Sequence, residues 1–348
     1  MRKLLIISPS FPKDASESHV IPFLQHVFLA FKEQYPNVEL TIVAIHKPLV
    51  DKPYDWHGIK VIPLQGNDIQ YPLKIIFLLK AFYKLHRLIK ANQYNGILNL
   101  WHNEFSVFTR LFRCKKFTWM LGQDVKKDNL YLRYFKPNPN KIMALSQYNN
   151  DVLYQSANIR AHKIIPMAIN ENLFPALNTD ERNIDVFGAG FLSPLKNYPL
   201  FLEVILTLKK TKPNIKVELA GMGEQEQDLK RFVKENNLEN NVTFLGLISH
   251  TAALDKMNHS KVFLHTSTFE GGSTVYFEAL YSGCQLVGTL PMMDKEIENF
   301  HFHENKIDIA EKINHLLENL PPVKRVRYYS MDFVCKEIYE LYYKSEKS

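Results

Sequence analysis

Strand and helix alternate with short joins through the second half of this chain, and that alternation leaves few folds open. Apolar runs at 184–188, 216–220, 242–245, 261–267 and 285–287 read as strands, while 198–210, 224–235 and 251–258 carry apolar residues at helical spacing. A strand, a crossover helix and a second strand make a parallel pair, and a parallel sheet must be covered on both faces. The first half repeats the scheme less regularly. Strand-like runs lie at 4–8, 40–45, 59–63, 96–100, 117–121, 142–146 and 163–166, with helical patterns at 21–31 and 71–90. A polar stretch without periodicity, 170–183, separates the halves, and 348 residues suit two cores better than one. The expectation is an α/β chain of two Rossmann-like, doubly wound parallel-sheet domains, 1–172 and 173–325. A last segment, 326–348, should form a helix that packs back towards the first domain.

Charge divides unevenly between the halves. Residues 1–165 hold 23 Lys and Arg against 11 Asp and Glu, a net of +12, and the remainder carries 20 against 25, a net of −5. A basic first half suits nucleic acid, an anionic membrane surface or an anionic substrate. The basic residues are spread over helices and loops without a nucleic-acid-binding module, so nucleic acid is not expected. In the 71–90 helix Lys74, Lys80, Lys84, Arg87 and Lys90 interleave with Phe77, Leu79, Phe82 and Tyr83. Such a segment either lies on an anionic membrane or covers the sheet with its lysines solvated. No stretch approaches the ~20 uncharged apolar residues of a membrane span. Met1-Arg2-Lys3 leads directly into a strand without an apolar leader. The expected location is the cytoplasm, peripheral on the inner face of the cell membrane if the helix binds lipid. Cys114, Cys284 and Cys335 are scattered and odd in number, which argues against a disulfide framework or a zinc site; no metal is expected.

The chemistry concentrates at 269–280, Phe-Glu-Gly-Gly-Ser-Thr-Val-Tyr-Phe-Glu-Ala-Leu. It places Glu270 before a flexible Gly271-Gly272 turn and Glu278 inside a helix opened by Ser273 or Thr274, directly after a buried strand. A strand, a glycine turn and a helix N-terminus make an anion site, because the first-turn N–H groups and the positive end of the helix dipole face the ligand. Two further loops lie at strand ends of the same sheet. One runs from Gly188 to Lys196-Asn197, where a lysine just before a helix can meet a phosphate. The other is the tight turn Gly221-Met222-Gly223. In the first half, His102 and Asp124 sit in polar loops after predicted strands; a structural histidine and a cap on a following turn are the competing readings.

These residues resemble the retaining glycosyltransferases of family 4. Glu270 and Glu278, seven residues apart and followed by Ala279, are similar to the family's Glu-x7-Glu motif, and the likeness extends through Lys196-Asn197, the Gly221-x-Gly223 turn, 241–246 and Ser267. The resemblance covers roughly residues 163–290. It implies the GT-B architecture, two Rossmann-like domains facing across a cleft, with a nucleotide-diphospho-sugar on the second and a glycan or lipid-linked acceptor on the first. By the same resemblance Lys196 and the amides of Gly272, Ser273 and Thr274 bind the donor diphosphate, Glu278 holds the ribose, Glu270 faces the transferred sugar and Leu247 meets the base. Phe191 stands where the family usually has an arginine, and Leu121 where it often has a histidine. Asp124 and His102 are then the candidates for assisting the acceptor hydroxyl.

The implied function is a retaining, metal-independent glycosyltransferase, with the donor as co-substrate and no separate cofactor, in cell-surface polysaccharide or glycolipid assembly. The chain lacks Asp-x-Asp, the metal-holding signature of the other main glycosyltransferase fold. A non-catalytic GT-B subunit that binds a nucleotide sugar or a partner is the alternative, supported by Phe191 and Leu121. An epimerase on the same fold lacks a carboxylate and histidine set that would demand it.

Overall fold

The computed structural model describes residues 2–14, 17, 20–66, 69, 72–291 and 296–343. Tyr71, where the second expected helix begins, and 344–348 of the last segment lie outside the described residues. The chain divides into two units, Met1–Ala168 with Tyr329–Ser348, and Ile169–Tyr328. The breaks fall at 168/169 and 328/329, against the expected 172/173 and 325/326.

The first unit runs β1 (Arg2–Ser10), α1 (Pro22–Gln34), β2 (Val38–Lys47), β3 (Tyr54–Trp56), β4 (Ile59–Pro63), α2 (Leu73–Asn92), β5 (Gly96–Leu100), α3 (Glu104–Phe108), β6 (Lys115–Met120), α4 (Leu130–Tyr134), β7 (Ile142–Ala144), α5 (Gln147–Ala157) and β8 (Lys163–Ile164). Its sheet has the order β3-β4-β2-β1-β5-β6-β7-β8, parallel throughout except for the β3–β4 pair. Side chains alternate across each strand, so β1 feeds two cores at once. Leu4 and Ile6 enter one cluster with Phe28 and Phe31 of α1, while Leu5 and Ile7 enter the other with Ala81, Leu85 and Ile89 of α2. That two-sided burial is why the strand reads as an unbroken apolar run.

The second unit runs β9 (Ile184–Ala189), α6 (Tyr198–Lys209), β10 (Val217–Ala220), α7 (Glu226–Glu235), β11 (Val242–Gly246), α8 (His250–Asn258), β12 (Ser260–His265), α9 (Thr274–Tyr281), β13 (Gln285–Gly288), β14 (Phe300–Phe302) and α10 (Lys306–Glu318). Its sheet is wholly parallel, in the order β11-β10-β9-β12-β13-β14. Counted from β9 this is 3-2-1-4-5-6, the Rossmann order, and its direction reverses between β9 and β12. The loops that leave the C-terminal ends of those two strands therefore flank the point of reversal.

The last helix, α11 (Met331–Tyr343), packs in the first unit. Tyr339 stacks on Tyr35 at 4.0 Å between ring centroids, and Tyr342 donates to the Ile97 carbonyl at 2.9 Å. Gly96 makes room for that ring, since a Cβ there would lie 2.2 Å from Cδ1 of Tyr342. The sequence reading does not predict β3, β14, α3, α4 or α5. The strands have three residues each, and α3 and α4 five each, too few to show a period. The α5 sequence is polar, and it buries Asn149 and Asn150 beside Leu153; its start is fixed by Ser146, whose hydroxyl accepts from the Asn149 amide at 3.0 Å. Cys284 and Cys335 are buried and Cys114 half-buried, all unbridged.

Candidate active site

The reversal between β9 and β12 brings Lys196 and Glu270 together. The β9 loop closes in a 3-10 turn, Pro194–Lys196, and Asn197 follows in the left-handed region at φ 50° before α6 starts. Asparagine tolerates that conformation better than other residues with a Cβ, so Asn197 serves the backbone turn that aims Lys196. Two hydrogen bonds tie this turn to the end of β12: Thr266 Oγ1 donates to the Lys196 carbonyl at 3.0 Å, and the Thr268 amide to the Leu195 carbonyl at 2.9 Å.

Lys196 Nζ then meets Glu270 Oε1 in a direct ion pair, and the same oxygen accepts from the Ser267 hydroxyl at 2.8 Å. His265, the last residue of β12 and fully within the core, brings its Nε2 to 3.3 Å from that oxygen. Burial by itself pushes the Glu270 carboxyl up, but the His265 hydrogen bond and the Lys196 ammonium outweigh it and hold the group at about 2. Burial pushes His265 down, so the ring is neutral and donates from Nε2. Its Nδ1 is buried without a hydrogen-bond partner among the described residues. The result is a carboxylate ionised at any working pH, beside a cation that can be drawn away by a stronger anion.

Gly271 and Gly272 carry the chain from Glu270 to α9, whose N-cap is Ser273; its side chain makes no capping bond. The first turn therefore has no side-chain cap, and the Tyr276 amide donates to the Ser273 carbonyl at 3.1 Å. One turn into α9, Glu278 Oε1 accepts from His250 Nε2 at 2.8 Å, with His250 at the start of α8. That hydrogen bond raises the His250 pKa against the opposing effect of burial.

The Gly221-x-Gly223 turn is built for contact with the β9 loop. Gly221 has φ 144°, and a Cβ on it would sit 1.9 Å from the Gly190 carbonyl oxygen; one on Gly223 would sit 2.4 Å from that of Leu192. Backbone bonds from Leu192 to Met222 and from Gln225 to Leu192, at 2.9 and 3.0 Å, lock the two loops together. Beside them lies a largely apolar pocket of about 280 Å³ lined by Phe191, Met222, Leu247 and Ala253. Phe191, Met222 and Leu247 are exposed there at 60%, 49% and 74%, an arrangement suited to a flat ring.

The first-unit candidates form a separate constellation. The His102 amide donates to Asp124 Oδ2 at 2.8 Å and the Gly122 amide to Oδ1 at 2.9 Å. His102 itself is buried, with Nδ1 2.8 Å from the Ser106 hydroxyl and Nε2 3.1 Å from the Phe135 carbonyl. Both ring nitrogens are thus engaged by the protein, and desolvation lowers the pKa to about 4. Asp124 is raised by burial to about 6. Asp124 thus ties the loop after β5 to the loop after β6, accepting the His102 amide from one and the Gly122 amide from the other. Ala15 and Ser16 of the first loop lie outside the described residues. The sequence reading missed His265, His250 and the pocket that Phe191 and Met222 both line; a histidine closing an otherwise apolar strand is the one signal that marks His265.

Comparison with known proteins bears on the fold and the family of the second unit. Residues 169–332 match the family model described as glycosyl transferases group 1. The gpi3 subunit of phosphatidylinositol N-acetylglucosaminyltransferase from Schizosaccharomyces pombe is 26% identical over 167 residues, 46% of this chain and 36% of the relative. The mouse alpha-1,3/1,6-mannosyltransferase ALG2 is 30% identical over 164 residues, 41% of this chain and 37% of the relative. The chain thus spans little more than a third of these two relatives. The solved structure of the pneumococcal O-GlcNAc transferase GtfA, in complex with UDP and GlcNAc, superposes over 97% of both chains with a TM-score of 0.68 at 13% identity. The second unit matches the glycosyl transferases group 1 family over its whole length, and the chain as a whole has the GT-B fold of glycosyltransferases.

Proposed function

We propose that the protein is a retaining, metal-independent glycosyltransferase that moves a sugar from a nucleotide-diphospho-sugar, UDP-linked, to a glycan or lipid-linked acceptor. The observation that carries this is the Lys196–Glu270 pair at the β9/β12 reversal, next to the free N-terminus of α9. Breaking a glycosyl–diphosphate bond leaves a cation-like sugar carbon and a departing phosphate anion. Positive charge preorganised at the phosphates is the main requirement. On this reading the diphosphate displaces Glu270 from Lys196 and takes further hydrogen bonds from Gly272, Ser273 and Thr274. Glu270, held ionised, then accepts sugar hydroxyls and stabilises the developing positive charge; with its pKa at about 2 it is no proton donor. Glu278 turns from His250 to the ribose, and the base lies against Leu247. With no carboxylate placed as a nucleophile, the acceptor attacks from the side the phosphate leaves, and the phosphate takes its proton.

The acceptor is read as anionic or lipid-borne, in cell-surface polysaccharide or glycolipid assembly, with the protein at the cytoplasmic face of a membrane. What supports this is α2, which buries only Ala81, Leu85 and Ile89 and leaves Leu73, Ile75, Ile76, Leu79 and Tyr83 exposed among its lysines. Among the described residues no helix is long and apolar enough to cross a membrane. Phe191, exposed where a second cation would assist the leaving group, favours the other reading, a binding subunit without turnover. A panel of UDP-, GDP- and ADP-sugars decides between them: an enzyme hydrolyses or transfers from one donor and keeps its rate in EDTA, and a binder shows a melting shift with no product.

A further inference from the structure

Against the first unit's sheet, beneath the segment that joins α3 to β6, lies a pocket of about 470 Å³ whose rim holds Arg110, Lys115, Lys116, Lys136 and Lys141. No carboxylate lines it, and none of the five cations takes part in an ion pair among the described residues. Arg110 and Lys136 donate only to the carbonyls of Phe135 and Ala157, at 2.8 and 3.1 Å. Lys116 reaches only the Phe112 carbonyl, and Lys141 stands over the Phe117 ring at 5.1 Å. Five like charges around one cavity repel one another at a cost that an anion would remove.

The floor is polar where a sheet face should be apolar. Asn99 and Thr118, both buried in mid-strand, point to the face that elsewhere carries Leu5, Ile7 and Ile97. Asn99 is held by Phe117 and Thr109, and Thr118 lines the cavity beside it. A hydroxyl on the wall of a cationic cavity is a ready contact for an oxyanion or for a hydroxyl carried beside it. The pocket also lies at the wrong end of the sheet for the proposed reaction: Lys115 and Lys116 open β6 and Lys141 precedes β7, at their N-terminal ends, whereas Rossmann ligands sit at the C-terminal ends.

We infer that this pocket is a second binding site, specific for a phosphate-bearing ligand and separate from the donor site of the other unit. Lysines meet the phosphate as point charges, Arg110 supplies a planar donor pair, and the Asn99–Thr118 floor receives the polar group esterified to it. The cavity accommodates a sugar phosphate or a lipid headgroup. The phosphate is the shared chemistry, and its source is either free in solution or borne by a lipid.

The test uses the full chain with inorganic pyrophosphate as probe, in the Lys196→Ala background so that the donor site does not compete. Calorimetry should show one salt-sensitive site. The Lys115→Gln/Lys141→Gln double variant, both side chains exposed, should melt as the parent does and bind pyrophosphate weaker by about tenfold or more. Thr118→Val should weaken binding by a smaller factor. Equal affinity in parent and double variant, or no binding in the Lys196→Ala background, overturns the inference. Sedimentation with phosphatidylglycerol vesicles locates the source: loss of vesicle binding in the double variant marks a lipid headgroup, and loss of pyrophosphate alone marks a soluble phosphate. Single-stranded RNA that binds the parent more tightly than pyrophosphate and displaces it would overturn the inference in favour of nucleic acid.

Discussion

Each unit carries a largely buried carboxylate in the loop after an inner strand, beside a histidine residue, and the two carboxylates behave in opposite ways. Glu270 faces an ammonium, a serine hydroxyl and an imidazole N–H, and is held at about 2. Asp124 faces two backbone amides and no cation, and burial carries it up to about 6. Desolvation acts on both. The His265 hydrogen bond together with the Lys196 charge outweighs it at Glu270, and backbone hydrogen bonds alone do not at Asp124. The cation can be surrendered to a ligand, so the Glu270 cluster can change state on binding. The amides are fixed in the loops after β5 and β6, so the Asp124 cluster holds a shape.

Breaking each partner tests that contrast. Lys196→Ala should have the largest effect, lowering kcat by roughly 2–4 kcal/mol of transition-state stabilisation, the scale for removing one preorganised charge donor. Normal turnover with the best donor would remove Lys196 from the phosphate site. Asp124→Ala should act on stability instead: two buried amides lose their acceptor, at a cost of about 2 kcal/mol in urea unfolding. Donor KM should stay as it was; a fully stable variant with no transfer would make Asp124 part of the chemistry after all.

A matched pair of glycines sharpens the comparison further. Gly221→Ala forces a Cβ towards the Gly190 carbonyl and shifts the loop that carries Lys196, so donor KM should rise several-fold, on the order of 1–2 kcal/mol for overpacking. Gly122→Ala, next to Asp124, should leave donor KM unchanged, because the nearest atom to a Cβ is 3.9 Å away.

The smallest effect is a pH slope. His102, depressed to about 4, binds its proton more readily in the unfolded chain, so its contribution to stability is lost as pH falls from about 6.5 to 4. Asp124, raised to about 6, is the reverse: the folded state favours its protonated form, and stability from it is lost as pH rises through about 4 to 6. The two oppose each other in the native protein. Asp124→Asn removes one of them, and urea midpoints should then drop more steeply on acidification than in the parent.

Much of the second unit was legible residue by residue. Its inner strands β9, β12 and β13 are mostly buried apolar runs and its helices follow at short, regular intervals, and β9, α6, β11 and α9 fall within a few residues of expectation. The positions of the Gly188–Asn197 loop and the Gly221-x-Gly223 turn were legible for the same reason: glycine spacing and a lysine before a helix are local. What lay beyond reach is non-local. His265 meets Glu270 because β12 ends beside its own exit loop, and His250 meets Glu278 across two helices, 28 residues apart. In the first unit the short helices α3 and α4 and the polar α5 gave no periodicity, so His102 and Asp124 looked like reactive groups on open loops.

The sequence by itself determined the parallel two-sheet architecture and the chain position of the glycine turn before α9, because both follow from spacing along a backbone. Only the tertiary structure decided the charge states. Lys196 and Glu270 stand 74 residues apart, and whether a buried carboxylate sits at about 2 or about 6 depends on what the fold sets against it. The same holds for the basic first half, where folding gathers five scattered cations over a polar floor.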